Sequence, residues 1–89
     1  MAKGFIYFAV CDALGTVKIG YTADPKSRLN GIQNGCPFPI HYEALIPGTR
    51  EDERLIQKAL VKHRILREWF WWNNEVKKVL SQAKEVASI

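Results

Sequence analysis

The chain contains little that is reactive in isolation. Its two cysteines, Cys11 and Cys36, lie 25 positions apart without a Cys-x-x-Cys spacing, which excludes a disulfide-stapled scaffold and a cysteine zinc site. Both are expected to be reduced and packed. The two histidines, His41 and His63, have no metal-ligand spacing to each other and no cysteine beside them, so a zinc centre is not built on them. No glycine-rich phosphate cradle, Gly-x-Ser-x-Gly elbow or dinucleotide fingerprint occurs. The longest apolar run is Phe5 to Cys11, far short of the roughly 20 residues a membrane helix requires. The opening Met-Ala-Lys-Gly has no secretory pattern, and the expectation is a cytoplasmic protein with no membrane partner. At 89 residues a single domain spanning 1–89 is expected, and barrel or doubly wound architectures are excluded by size.

What is present is an excess of positive charge, 13 basic against 9 acidic side chains, which favours an anionic partner. The excess is local. Arg54, Lys58, Lys62, Arg64 and Arg67 follow one another with no acid among them. Gly4–Val10 and Thr16–Tyr21 are rich in β-branched and aromatic residues around a turn Asp12-Ala-Leu-Gly15, and predict an antiparallel hairpin. Asp24 before Pro25 predicts the cap and first turn of a helix of about ten residues, ended by Asn34-Gly35. Ile40–Ile46 reads as a third strand closed by Pro47-Gly48. Thr49 caps a second helix with Glu51, Asp52 and Glu53 in its first turn; Leu55, Ile56, Ala59, Leu60 and His63 are expected as its buried stripe, with His63 a packed core histidine. The aromatic block Trp69–Trp72 is expected to plug the core between the last two helices, although it would also suit base stacking. A final helix over about 73–87 is capped by Asn73 or Asn74. The expected class is α+β, a small three-stranded antiparallel sheet flanked by helices in the order ββαβαα.

Several residues admit both a structural and a chemical role. Arg50, Arg54, Lys58 and Lys62 form one i,i+4 row, either a solvated helix face or a nucleic-acid footprint. Glu53 and Gln57 lie between that row and the apolar stripe. Glu53 either complements the helix N-terminus or holds a hard cation such as Mg²⁺ with water and substrate oxygens. Tyr7 and Lys18 share one sheet face if odd positions pair with even ones, where they would move protons or bind phosphate, or else simply pack. Arg28 projects from the first helix. His41, at the start of the third strand, is free to act as a base.

The order Gly4-Phe5-Ile6-Tyr7, Lys18-Ile19-Gly20, Arg28, Glu53 and Glu68-Trp69-Phe70 resembles the GIY-YIG nuclease superfamily, in the phage and bacterial branch whose second element reads Lys-Ile-Gly and whose last reads Glu-Trp-Phe. The resemblance covers about residues 4–72. It implies a three-stranded antiparallel sheet with flanking helices that cleaves phosphodiester bonds with one divalent ion, Mg²⁺ or Mn²⁺. By the same resemblance Glu53 would hold the ion, Arg28 would pair with phosphate oxygens, and Tyr7 would position or deprotonate the attacking water. Three positions depart from the pattern, and the family's asparagine near the end has no clear counterpart, Asn73 and Asn74 standing close to its place. Lys18 stands where the name gives a second tyrosine, which leaves the base open between the two. Ile32 stands where a histidine or tyrosine often follows the arginine, and Gln57 where a histidine often follows the glutamate. The expected function is a metal-dependent endonuclease on DNA, with Arg50, Arg54, Lys58, Lys62 and Gln57 as the nucleic-acid contacts. A protein partner or homodimer would supply target choice. The alternatives are a binding module of the same fold that does not cut, and a protein-interaction domain that exposes Trp71 or Trp72.

Overall fold

The computed structural model describes residues 4–87. Residues 1–3 and 88–89, on which the leader expectation and the outer limits of the expected domain rest in part, lie outside the described residues. Strand β1 (Gly4–Cys11) and strand β2 (Thr16–Thr22) form the expected hairpin, closed at Gly15, whose φ of 64° is a left-handed value that glycine adopts without a Cβ clash. Helix α1 (Pro25–Asn34) starts at Pro25 with the Asp24 carboxylate accepting from the Ser27 amide at 3.1 Å. Strand β3 (His41–Gly48) pairs antiparallel with the outer side of β1. It runs through Pro47 instead of ending there, because β3 is a sheet edge, where a missing N–H leaves no ladder bond unmade. Helix α2 (Arg50–Ala59) opens with a reciprocal capping box between Thr49 and Asp52. Helix α3 (Asn74–Ala87) has Val76 and Leu80 buried on its inner side, and the Asn73 side chain accepts from the Val76 amide at 3.0 Å.

Two elements depart from the expected order. The sheet has five strands, β3-β1-β2-β5-β4, because the segment after α2 forms a hairpin of β4 (Arg64–Leu66) and β5 (Trp69–Trp71) that adds to β2. The aromatic block therefore does not plug two helices. Trp69, Phe70 and Trp71 alternate half-buried, buried and exposed, the period of a strand. Helix α2 also stops at Ala59, and His63 ends a 3₁₀ turn, Val61–His63.

The sheet separates two cores. On one face Ile6, Phe8, Val17, Ile19 and Phe70 meet Leu60, Val76 and Leu80 from the α2 and α3 side. On the other, Tyr7, Ala9 and Cys11 are covered by Leu29 and Ile32 of α1, with Tyr42 and Trp69 at the rim. Fully burying a side chain such as Phe70 contributes roughly 1.5–3 kcal/mol. Cys11 is buried, Cys36 half-buried, and both are free thiols. No helix of the described residues is long and apolar enough to cross a membrane.

Helix α2 is rotated from its expected orientation. Leu55 is 57% exposed, whereas Glu53 is 8% exposed and Leu60 is 2%. The cause is the outer edge of β2, whose backbone groups need partners. The Gln57 amide donates to the Ile19 carbonyl at 2.8 Å, turning the Glu53–Gln57 side toward the sheet and Leu55 away.

Candidate active site

The β1–β2 register sets Tyr7 opposite Gly20 and Lys18 opposite Ala9. Odd positions thus face even ones, and Tyr7 and Lys18 share the α1 face of the sheet. Gly20 is needed beneath the Tyr7 ring, since a Cβ there would lie 2.3 Å from the Tyr7 hydroxyl oxygen. Tyr7 is fully buried, and its ring packs against Tyr42 with centroids 5.7 Å apart. The Tyr42 hydroxyl donates to the Pro25 carbonyl at 2.6 Å, tying β3 to the first residue of α1. One turn later Arg28 holds its guanidinium carbon 5.9 Å from the centre of the Tyr7 ring, within cation–π range.

The Lys18 ammonium donates to Glu68 Oε1 at 2.6 Å and to the Tyr7 hydroxyl at 3.4 Å. The Tyr7 hydroxyl in turn donates to the same Glu68 oxygen at 3.5 Å. Burial works to lower the Lys18 pKa, but the Glu68 hydrogen bond and the neighbouring Tyr7 and Glu68 charges outweigh it, and the net shift is upward. Glu68 is held in place by its backbone, whose carbonyl accepts from the Ile19 amide at 2.9 Å. The residue before it, Arg67, has a φ of 53°, the left-handed turn that joins β4 to β5.

Glu53 reaches toward this cluster from α2. Its pKa is raised, first by burial and then by repulsion from Glu68, against the opposing pull of Arg50, Arg54 and Lys18. No buried polar side-chain atom of the described residues lacks a partner, and Glu53 accepts no hydrogen bond from them, so its carboxyl oxygens are open to solvent. A largely desolvated hard-oxygen donor of this kind, without a hydrogen-bond partner among the described residues, fits a small divalent cation that keeps most of its water. Among the described residues no three His, Cys, Asp or Glu side chains are grouped to hold a metal, so Glu53 would be the protein ligand and water or substrate would complete the shell.

Other expected residues are placed elsewhere. His41 pairs with Val10, which belongs to the opposite core, and its Nδ1 lies 3.5 Å from Asp12 Oδ2. The alternation of the strand thus removes His41 from the Tyr7 face, and it is not a base for this cluster. His63 is bonded at both ring nitrogens. Asn73 uses its side-chain oxygen on Val76, so its amide nitrogen faces His63 Nδ1 at 3.0 Å, leaving Nε2 to donate to Glu75 Oε2 at 2.9 Å. Asn73 is accordingly the cap of α3. The basic row divides: Arg54 and Lys58 line a shallow hollow with Gln57, Val61 and Arg64, Arg50 stacks on the Tyr21 ring at 4.9 Å, and Lys62 lies past the helix end beside His63, Glu75 and Lys78. Gln57 spends its amide nitrogen on Ile19, and its oxygen accepts from Arg64 at 3.5 Å.

Sequence reasoning gave no role to Glu68 or Tyr42. A signal for Glu68 was present, as it is the sole acid between Glu53 and Glu75 in a stretch dense in arginine and lysine. No signal marked Tyr42, whose contact with α1 depends on strand pairing at long range.

Comparison with known proteins gave no match among curated proteins or solved structures. One protein family does match, the T5orf172 domain, over residues 4–87. That range includes every residue of the cluster, and the chain belongs to the T5orf172 domain family.

Proposed function

We propose that this domain is a GIY-YIG-type endonuclease that hydrolyses phosphodiester bonds in DNA with one divalent ion, Mg²⁺ or Mn²⁺. The observation that carries the reading is the gathering of a phenol, an ammonium, a guanidinium and two carboxylates from separate segments, Tyr7, Lys18, Arg28, Glu53 and Glu68, around the open edge of β2. Membership of the T5orf172 domain family and the GIY-YIG-like order of motifs support its coarser part, a nuclease-like or DNA-binding module.

In this reading Arg28 and Lys18 supply the positive charge that a phosphate gathers as its oxygens grow more negative in the transition state, and Arg28 suits bidentate pairing. Tyr7, beside both cations, holds the attacking water, whose proton passes to Tyr7 or Lys18. Glu53 would hold the divalent ion, which when bound polarises the phosphate and stabilises the leaving oxygen. Arg54, Lys58 and Arg64 line the hollow next to Glu53 on α2 and would follow the DNA backbone.

Two further readings each have an observation behind them. A binding module without cleavage is favoured by Gln57, which stands where the resemblance expects a histidine and is occupied by Ile19 and Arg64. A protein-interaction role is favoured by the β4–β5 hairpin, where Trp71 is 52% and Leu66 65% exposed. A plasmid-nicking assay across divalent metals separates them. Wild type nicks, Arg28→Ala and Glu53→Ala do not, and both variants keep salt-sensitive binding. Binding without nicking under any metal supports the silent module, and negligible DNA affinity supports the interaction role.

A further inference from the structure

The Lys-Ile-Gly element leaves the proton carrier open, because Tyr7 and Lys18 are neighbours on one face and either is a conceivable base. The arrangement around Glu68 distinguishes them. A single carboxylate oxygen, Glu68 Oε1, receives the Lys18 ammonium at 2.6 Å and the Tyr7 hydroxyl at 3.5 Å, while the same ammonium reaches the Tyr7 oxygen at 3.4 Å. Both hydrogen bonds made by Lys18 run to acceptors. Each is weakened if the amine gives up its proton, so the contacts are complementary to the cation and not to the free amine.

The charges around Lys18 come from every neighbouring element. Tyr7 lies on β1, Glu68 in the β4–β5 turn and Glu53 on α2, and Arg28 of α1 stands over the Tyr7 ring. Both carboxylates favour the ammonium. Arg28 holds its guanidinium carbon 5.9 Å from the centre of the Tyr7 ring and adds positive charge beside it.

Building on the nuclease reading, we propose that Glu68 is a positioning residue: its carboxylate fixes Lys18 as a cation beside Tyr7, which leaves Tyr7, as the phenolate formed once its hydroxyl proton has passed to bulk solvent, as the group that takes the proton from water and Lys18 as fixed charge. Glu68 acts through Lys18 and need not touch the substrate.

The test is a side-chain NMR titration of Lys18 in the full chain, for wild type, Glu68→Gln and Glu68→Asp, run beside plasmid nicking with Mg²⁺ or Mn²⁺. Glu68→Gln keeps the shape and removes the charge. The midpoint of Lys18 is expected to move down in that variant and to return most of the way in Glu68→Asp. Nicking by Glu68→Gln is expected to slow roughly ten- to a hundredfold, the range for losing a hydrogen bond to a charged group. An unmoved Lys18 midpoint in folded Glu68→Gln overturns the proposal, and so does a moved midpoint with unchanged nicking. Should Glu68→Gln not fold, a Lys18 midpoint in Glu68→Asp equal to that of the free side chain overturns it, and one held above that value supports it. If wild type nicks with neither ion, the nuclease reading falls, while the Lys18 midpoint still decides whether Glu68 fixes the cation.

Discussion

Replacing Gly20 by alanine would strike the cluster from beneath without removing any functional group. The added Cβ would stand 2.3 Å from the Tyr7 hydroxyl oxygen, 2.5 Å from Cζ and 2.8 Å from Cε2. All three distances lie well inside van der Waals contact. The ring has no easy retreat, because Tyr7 is fully buried and bounded by Tyr42, Arg28 and Lys18. Forcing extra atoms into a packed site costs about 1–3 kcal/mol, and stiffening the unfolded chain returns about 0.4–1 kcal/mol. The net loss is roughly 0–2.6 kcal/mol, toward the upper end for a ring that cannot retreat, which for a domain of this size lowers the melting temperature by up to roughly 20 °C. Gly4→Ala provides the control. Its Cβ would lie 2.2 Å from the Tyr21 ring, but Tyr21 is only half-buried, and it can swing outward at a cost of about 1 kcal/mol or less. Circular dichroism melts of both variants compare the two sites, and nicking by Gly20→Ala reports displacement of the phenol. A Gly20→Ala melting point equal to that of wild type, or a loss no greater than for Gly4→Ala, would refute the reasoning.

Two other outcomes follow from the electrostatics. Burial and Glu68 raise the Glu53 pKa above its ordinary value of 4.5, so in the interval between those two values the folded state binds more protons than the unfolded one, and stability falls as pH rises through it. The ionised carboxylate therefore destabilises the fold at neutral pH, and Glu53→Gln is expected to melt higher than wild type at pH 7 while losing nicking. The gain should vanish below the unfolded value, and a variant that melts lower at pH 7 would contradict the assignment. In DNA binding, Arg54→Gln with Lys58→Gln is expected to reduce the slope of log affinity against log salt by about 0.9 per lost phosphate contact. An unchanged slope would remove the hollow on α2 from the DNA path.

Local chemistry made much of the fold legible. The Asp24 and Thr49 caps, Pro25 at a helix start and the Gly15 turn each depend on residues within a few positions of one another, and those elements formed where expected. The β4–β5 hairpin was not legible, since strands of three residues carry too little periodicity and exist because β2 offers them an edge. The inward face of α2 was misjudged for a related reason. Counting apolar residues favoured Leu55 and Ala59, but the need to pair the Ile19 carbonyl brought a glutamine inward. At the site, the strand register that unites Tyr7 with Lys18 followed from alternation, and the same alternation carries His41 to the other face. The contribution of Glu68 depends on where a turn 50 positions from Lys18 comes to rest, which no local pattern specifies.

Ile19 marks the point where the border of the sheet changes hands. Its amide is taken by the Glu68 carbonyl and its carbonyl by the Gln57 side chain, so one residue is clamped by a strand turn and a helix at once. This junction denies a neighbouring molecule an unsatisfied stretch of backbone on which to template cross-molecule strand addition. It also immobilises the short tripeptide around it, so that the stretch of β2 carrying Lys18 and Gly20 is held stiff beneath the Tyr7 ring. Slow exchange of the Ile19 amide with deuterated solvent would be its signature.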